Sequence, residues 1–401
     1  MNLYDKSSLI LIPSAVKDGK VYSQRPENGD GDFTFSRAST ATRVNENGLI
    51  ESVGSNEPRL DYSGGASCPS LLLEPQRTNL ITHSEDINSI SGLSKIGASI
   101  DANVTTSPEG LLNASLLKED SSNGSHFAYK DFNLTNGATY TISIFAKANG
   151  ENRRLRFGDG GVGWSSGFSS YFNLFNGTVS GDGVMENYGN GWYRCSVVGT
   201  TNATASRLIV YSTLNTQTSY QGDGVSGVYL YGFQIEEASY PSSYIPTYGS
   251  AVTRSRENHQ LNITSIITSL SFTWFFDLGD WVGSLGNSGT YELINTGSTR
   301  IQLRVRVDGY RMYYQNTNGG SSYPVAGSQS ANKFCVAYDG FNYRLFIDGT
   351  LVNTYPSVGD TNWSFLMNVN GSGVNETLII KQEMLFNTAL TDSECIALTT
   401  I

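Results

Sequence analysis

The chain has 401 residues, 26 Lys and Arg against 36 Asp and Glu, and a net charge of −10. Charged residues are 15% of it, against about 25% in ordinary soluble domains, while 43 glycines and 23 tyrosines give it the composition of a turn-rich β protein. An acidic chain with no Lys/Arg cluster excludes bulk nucleic-acid binding. No apolar run approaches the ~18–20 residues of a spanning helix, which excludes membrane insertion by one.

Residues 1–88 read as an irregular β-rich segment. Met1 is followed by Asn2-Leu3-Tyr4-Asp5-Lys6, without a basic region or cleavage pattern, so folding in a bacterial cytosol is expected. Leu9-Ile10-Leu11-Ile12 is strand-like and ends at Pro13. Phe33-Thr34-Phe35-Ser36 alternates as a half-buried strand does. Thr42–Asn45 and Leu49–Val53 flank Asn47-Gly48, a hairpin turn that tolerates positive φ. Pro58, Pro69 and Pro75 then punctuate short extended pieces, and the segment is expected to pack on something else.

Residues 90–248 offer strands at Ser125–Phe132, Thr139–Ala148, Leu155–Phe157, Ser169–Leu174, Trp192–Thr200, Ser206–Tyr211 and Val225–Glu236. Short strands separated by turns predict an antiparallel two-sheet sandwich. Pro241 and Pro246 mark an extended exit to a linker near Tyr248–Glu257. Residues 258–401 predict a second sandwich, with strands at Ser271–Leu278, Tyr291–Asn295, Arg300–Val307, Arg311–Gln315, Lys333–Asp339, Asn342–Ile347, Thr350–Tyr355 and Thr377–Asn387. Asp348-Gly349 is its clearest hairpin turn, and Thr391-Asp392-Ser393-Glu394 opens a short C-terminal helix with a capping-box pattern. The fold class is therefore all-β.

Three stretches carry a family likeness. Phe33-Thr34-Phe35-Ser36-Arg37-Ala38-Ser39-Thr40-Ala41-Thr42-Arg43-Val44, Pro58-Arg59-Leu60-Asp61-Tyr62 and Leu72-Leu73-Glu74-Pro75-Gln76-Arg77-Thr78-Asn79-Leu80 resemble a segment of bacteriophage tail and other virion proteins. Gly191-Trp192-Tyr193-Arg194-Cys195, Tyr231–Glu236 and Tyr240–Thr247 resemble the carbohydrate-binding-module-like jelly roll of the same proteins. Tyr343–Thr350 and Phe386–Glu394 are similar to laminin-G/concanavalin-like sandwiches. The resemblance implies a virion location, contacts with other virion proteins through the N-terminal segment, a homotrimer, and adhesion to host-surface glycan.

The residues themselves hold little that points to catalysis. No G-x-S-x-G elbow occurs, and His83, His126 and His259 sit in no recognised triad context. No enzyme activity is assigned, and a glycan depolymerase is the remote alternative. Cys68, Cys195, Cys335 and Cys395 form no metal or disulfide framework and read as buried thiols, with a Cys335–Cys395 bridge unsupported. No cofactor is assigned. Ca²⁺ is the metal that Asp182, Asp223, Asp277, Asp280 and Asp360 would suit, but loop carboxylates are ordinarily just solvated.

Sugar binding is the natural ligand chemistry, because a sugar's apolar face stacks on an exposed ring. The candidate platforms are Trp164, Trp281, Tyr310, Tyr314 and Trp363, the first two lying in glycine-rich loops. Arg37, Arg43, Arg59 and Arg77 stand among Ser, Thr and Asn. Their forks suit backbone carbonyls, so they are expected to hold together a unit with little apolar core; an anionic ligand or a neighbouring subunit is the alternative. Trp192 is expected in the core. The first expectation is thus a tail fibre or appendage adhesin acting by multivalency. The alternative is a purely structural virion component such as a head fibre, decoration or tail adaptor protein.

Overall fold

The computed structural model describes residues 2–165, 169–279, 333–356 and 377–400 with their side chains, and the backbone of five further strands between 289 and 369. The architecture is all-β: two antiparallel sandwiches, with the helix Asp392–Thr400 near the C-terminus. Among the described residues no helix is long and apolar enough to cross a membrane.

The middle sandwich packs a six-stranded sheet on a seven-stranded one. The first has the order Ala98–Thr106, Leu112–Glu119, Gly227–Glu236, Thr139–Asn149, Tyr193–Thr200, Val184–Asn187. Alternation along Thr139–Asn149 sends Tyr140, Ile142, Ile144 and Ala146 into the core between the sheets, where they meet Leu155, Phe157 and Phe172. Phe145 points the other way, into a separate cluster with Ile50, Trp192, Tyr231 and Tyr244. The outer face of this sheet is therefore covered as well. Ala98–Thr106 shows no apolar alternation and is largely exposed, so its sequence carries no strand signal.

Strands of the first 88 residues pair with those of the C-terminal sandwich, as the expectation that this segment packs on something else requires. Leu9–Leu11 pairs antiparallel with Leu378–Phe386, Leu9 opposite Leu385. Ser70–Leu73 takes the same edge further along, Leu73 opposite Leu378. Phe33–Ser36 pairs with Asn258–Asn262 in the facing sheet. The N-terminal strands thus complete both sheets of the C-terminal sandwich. Leu9, Leu11, Phe33, Leu71 and Leu73 share its core with Trp274, Phe276, Leu345 and Leu385. Strands of three or four residues bury too little apolar surface to stand alone, and this core supplies the rest.

The terminal helix covers the outer face of that sandwich. Cys395 and Leu398 pack on Phe275, Cys335, Phe346 and Phe386. Its capping box is formed: the Thr391 N–H donates to Glu394 Oε2 (2.9 Å), and the Glu394 N–H donates to Thr391 Oγ1 (3.4 Å). Thr391→Ala should cost about 1 kcal/mol and accelerate labelling of the buried Cys395 by a thiol reagent. An unchanged labelling rate would show that the cap does not hold the helix down. Cys195, Cys335 and Cys395 are buried free thiols, and Cys68 is an exposed one.

Candidate functional site

The two sandwiches meet at a buried ionic joint. It is built from three pieces of chain: residues 37–79, the exit of the middle sandwich at 236–247, and the segment leading to Glu257. Val252–Arg254 pairs with Arg77–Asn79, Arg254 opposite Arg77, which brings these arginines to one place. Arg37, Arg59 and Arg254 are essentially inaccessible to solvent, as are Glu236 and Glu257. Glu257 receives Arg37 Nη1 at 2.6 Å and Arg59 Nε at 2.8 Å, with Arg59 Nη2 on its other oxygen. Glu74 receives Arg59 Nη1 at 2.8 Å and Arg254 Nη1 at 2.7 Å. Burial alone would raise the Glu74 carboxyl, but Arg254, Arg59 and the Ser243 donors hold it well below the usual carboxylate range. Arg77 stands 3.9 Å from Glu236.

The leftover donors go to main chain. Arg37 donates to Ser39 O and Gly54 O, Arg59 to Thr42 O, and Arg254 to Pro75 O. Asn79 joins the pieces with no charge at all. Its amide donates to Phe233 O and Ile245 O, and its oxygen accepts from the Ile81 and Ile235 N–H groups. Planar forks that satisfy carbonyls and carboxylates together hold irregular chain where apolar contacts are few.

A cleft of about 620 Å³ opens beside this joint. One wall is the hairpin of Ala41–Val44 and Ile50–Val53, another the turn Ser63-Gly64-Gly65. The edge strand Val184–Asn187 with Tyr188, and the stretch Pro241–Tyr244, close it. Gly64 and Gly65 both have φ near +73°, and each has open space where a Cβ would stand, so the turn is shaped by backbone and leaves the mouth free. Val44, Ile50, Leu72 and Tyr244 give apolar lining; Arg43, Asp61, Glu186 and Arg194 give the polar groups. Asp61 spends its two oxygens on the N–H groups of Val44 and Ser63, fixing the hairpin against the turn. Burial and the neighbouring Glu186 charge push the Tyr188 hydroxyl well above the ordinary phenol range, so it is a neutral donor. An apolar lining with a few converging polar groups is the usual form of a small-ligand site.

The residues singled out from sequence fall in different places. Arg37, Arg59 and Arg77 lie in the joint. Arg43 does not: it is half-buried on the cleft wall and paired with Glu51 at 2.7 Å. Trp192 is buried beside Phe145, its Nε1 donating to Thr106 O at 3.0 Å. Trp164 is no exposed platform. It is 6% exposed, and its Nε1 donates to Arg207 O at 2.8 Å. Gly163, at φ +83°, lets the loop lie flat on Ala205–Leu214, where a Cβ would come within 2.2 Å of Ala205 O, and the indole turns inward.

Trp281, Trp363, Asp280 and Asp360 lie outside the described residues. Tyr310 and Tyr314 belong to the strand Gly309–Asn316, and their side chains lie outside the described set. Asp223 closes its own turn through the Val225 and Ser226 N–H groups, and Asp277 faces Lys333 at 3.7 Å. Among the described residues no three His, Cys, Asp or Glu side chains are grouped to hold a metal. Sequence reasoning missed Glu74, Glu236, Arg254 and Glu257 as network members, and Tyr188, Glu186 and Arg194 as cleft residues. Glu257 in a supposed linker gives no local sign of burial; Arg194, one residue from Tyr193 in a noted motif, was within reach.

No protein-family model matches the chain, and no curated protein matches it. Among solved structures, it is similar to the receptor-binding domain of botulinum neurotoxin type G: 16% identity over 35% of this chain and 39% of that one, TM-score 0.28. It is also similar to the binding domain of botulinum neurotoxin DC solved with rat synaptotagmin II: 16% identity, 36% and 40% coverage, TM-score 0.30. A third is a botulinum neurotoxin type C structure, described as dependent on two ganglioside molecules for cell entry: 15% identity, 36% and 40% coverage, TM-score 0.29. The chain spans about two fifths of the length of these structures, and a likeness of this extent carries no argument about function.

Proposed function

We propose that this chain is a bacteriophage virion appendage protein, a tail fibre or similar part, that adheres non-covalently to host-surface glycan through the cleft at the joint. The observation that carries the reading is the cleft: about 620 Å³, with apolar lining, polar groups and a rigid ionic joint behind it. The phage assignment rests on the sequence resemblance alone. The stretches that carry it, around Arg37, Arg59, Glu74 and Tyr244, are the ones that build the joint and line the cleft. Adhesion would gain strength from several copies, a trimer being the expectation, each contributing a weak site.

One observation favours the purely structural alternative. Trp164, Trp192 and three of the four motif arginines are spent on internal contacts. The test is binding of labelled protein to a panel of bacterial strains, with glycan-stripped cells alongside and a Tyr188→Ala, Arg43→Ala variant. Strain-restricted binding that disappears on stripping and falls at least tenfold in the variant is expected. Binding to no strain by a folded, oligomeric sample would overturn adhesion in favour of the structural part. Binding that the variant keeps would move the site elsewhere on the chain.

A further inference from the structure

Six arginines are buried among the described residues: Arg37, Arg59, Arg77, Arg153, Arg194 and Arg254. Five of them have a carboxylate within 4 Å: Arg37 and Arg59 on Glu257, Arg254 on Glu74, Arg77 on Glu236, and Arg153 on Glu119. Arg194 has none among the described residues, and of these six it is the one that lines the cleft. A buried guanidinium without a counter-ion is costly, and each of the other five is paired.

The position of Arg194 is fixed without a carboxylate. It lies on the covered face of Tyr193–Thr200, directly across from Phe145, with its guanidinium carbon 5.5 Å from that ring. Nη2 donates to Ser143 Oγ at 3.0 Å, and the Tyr188 hydroxyl lies beside the group. Nε has no partner. Glu186 is the cross-strand neighbour of Arg194, yet it is exposed and its carboxylate makes no ion pair with the guanidinium. The group is held in place, desolvated and electrostatically incomplete.

We infer that Arg194 is the anchor for an acidic group on the ligand, so that the glycan taken by the cleft is an anionic one. The shared chemistry is a carboxylate or phosphate oxygen accepting from the Arg194 fork; a sugar carboxylate is the better fit, since it is planar and matches one fork edge with two oxygens. Arg43, on the hairpin wall and partly engaged by Glu51, adds a second positive charge to the lining. The inference rests on the adhesion reading and names its ligand class.

The test uses full-length protein and the surface glycan extracted from a strain that it binds. Affinity is measured for the native glycan, for the same glycan after carboxyl reduction, and for a sample dephosphorylated with hydrofluoric acid. A tenfold or larger loss on carboxyl reduction supports a sugar acid; the same loss on dephosphorylation supports a phosphoglycan. Arg194→Gln should lose binding to a similar degree. Glu186→Gln, a change at an exposed position, should tighten binding about threefold by removing a like charge from the lining that an acidic ligand meets. Equal binding of all three glycan samples, with the Tyr188/Arg43 variant still impaired, would overturn the acidic ligand and leave adhesion standing. Absence of any binding strain would overturn both.

Discussion

Glu257→Ala should destabilise the protein by about 3–5 kcal/mol, the largest loss expected from any single carboxylate here. Three partners lose their acceptor at once: Arg37 Nη1, the Nε and Nη2 of Arg59, and the Glu74 N–H at 2.8 Å. None of them can turn to water, because Arg37 and Arg59 are wholly buried. Glu257→Gln keeps the shape and an acceptor oxygen but drops the charge, and should cost less. The contrast is Glu51→Ala, which breaks the half-exposed pair with Arg43 and should cost about 0–1 kcal/mol. Urea unfolding of the three variants decides the matter. A Glu257→Ala loss no larger than that of Glu51→Ala would mean that the joint is held by packing and main-chain bonds, with the ion pairs incidental.

The joint also shows where sequence reading stops. Local signals were legible because local stereochemistry causes them. Asp348 and Gly349 both take positive φ, as the hairpin turn requires, and the Ala41–Val44/Ile50–Val53 hairpin closes over Asn47-Gly48. The terminal helix begins at its capping box. The strands Thr139–Asn149 and Asn342–Ile347 stand within a residue or so of where alternation put them. What failed is non-local. Arg59 and Glu257 are 198 residues apart, and Leu9 and Leu385 pair across 376. Nothing at either end of such a contact specifies the other, so the sequence shows that the short N-terminal segment needs a surface to pack on but not which surface that is. Trp164 failed for a related reason. Glycine signals a loop, but whether the loop projects or lies flat depends on the strand beneath it.

The second large effect is on the pH dependence of stability. Glu383 is fully buried in the C-terminal sandwich, opposite Leu11 on one neighbour and Phe276 on the other, and among the described residues neither carboxyl oxygen has a hydrogen-bond partner. Burial pushes its carboxyl from the ordinary 4.5 up to about 8. Below pH 4.5 the group is protonated folded or unfolded and adds no slope. Between pH 4.5 and 8 the unfolded chain releases the proton and the folded one keeps it, so stability falls as pH rises, then levels off. At about 1.4 kcal/mol per pH unit, the fall is on the order of 5 kcal/mol. His259 works from the other side. It is stacked on Phe33 at 4.1 Å, both ring nitrogens have no partner among the described residues, and burial holds it near 3 against an ordinary 6.5. Its contribution is complete above pH 6.5 and is lost as pH falls toward 3. The two opposed slopes cancel between about pH 4.5 and 6.5, which places greatest stability there. Glu383→Leu should therefore gain most at pH 8, by several kcal/mol, and little at pH 4.5. His259→Leu should flatten the acid side only. Paired urea titrations at pH 4.5, 6 and 8 measure both. A Glu383→Leu effect that is the same at pH 4.5 and pH 8 would show that the carboxyl finds a partner or water in solution, and that the core is not closed around it.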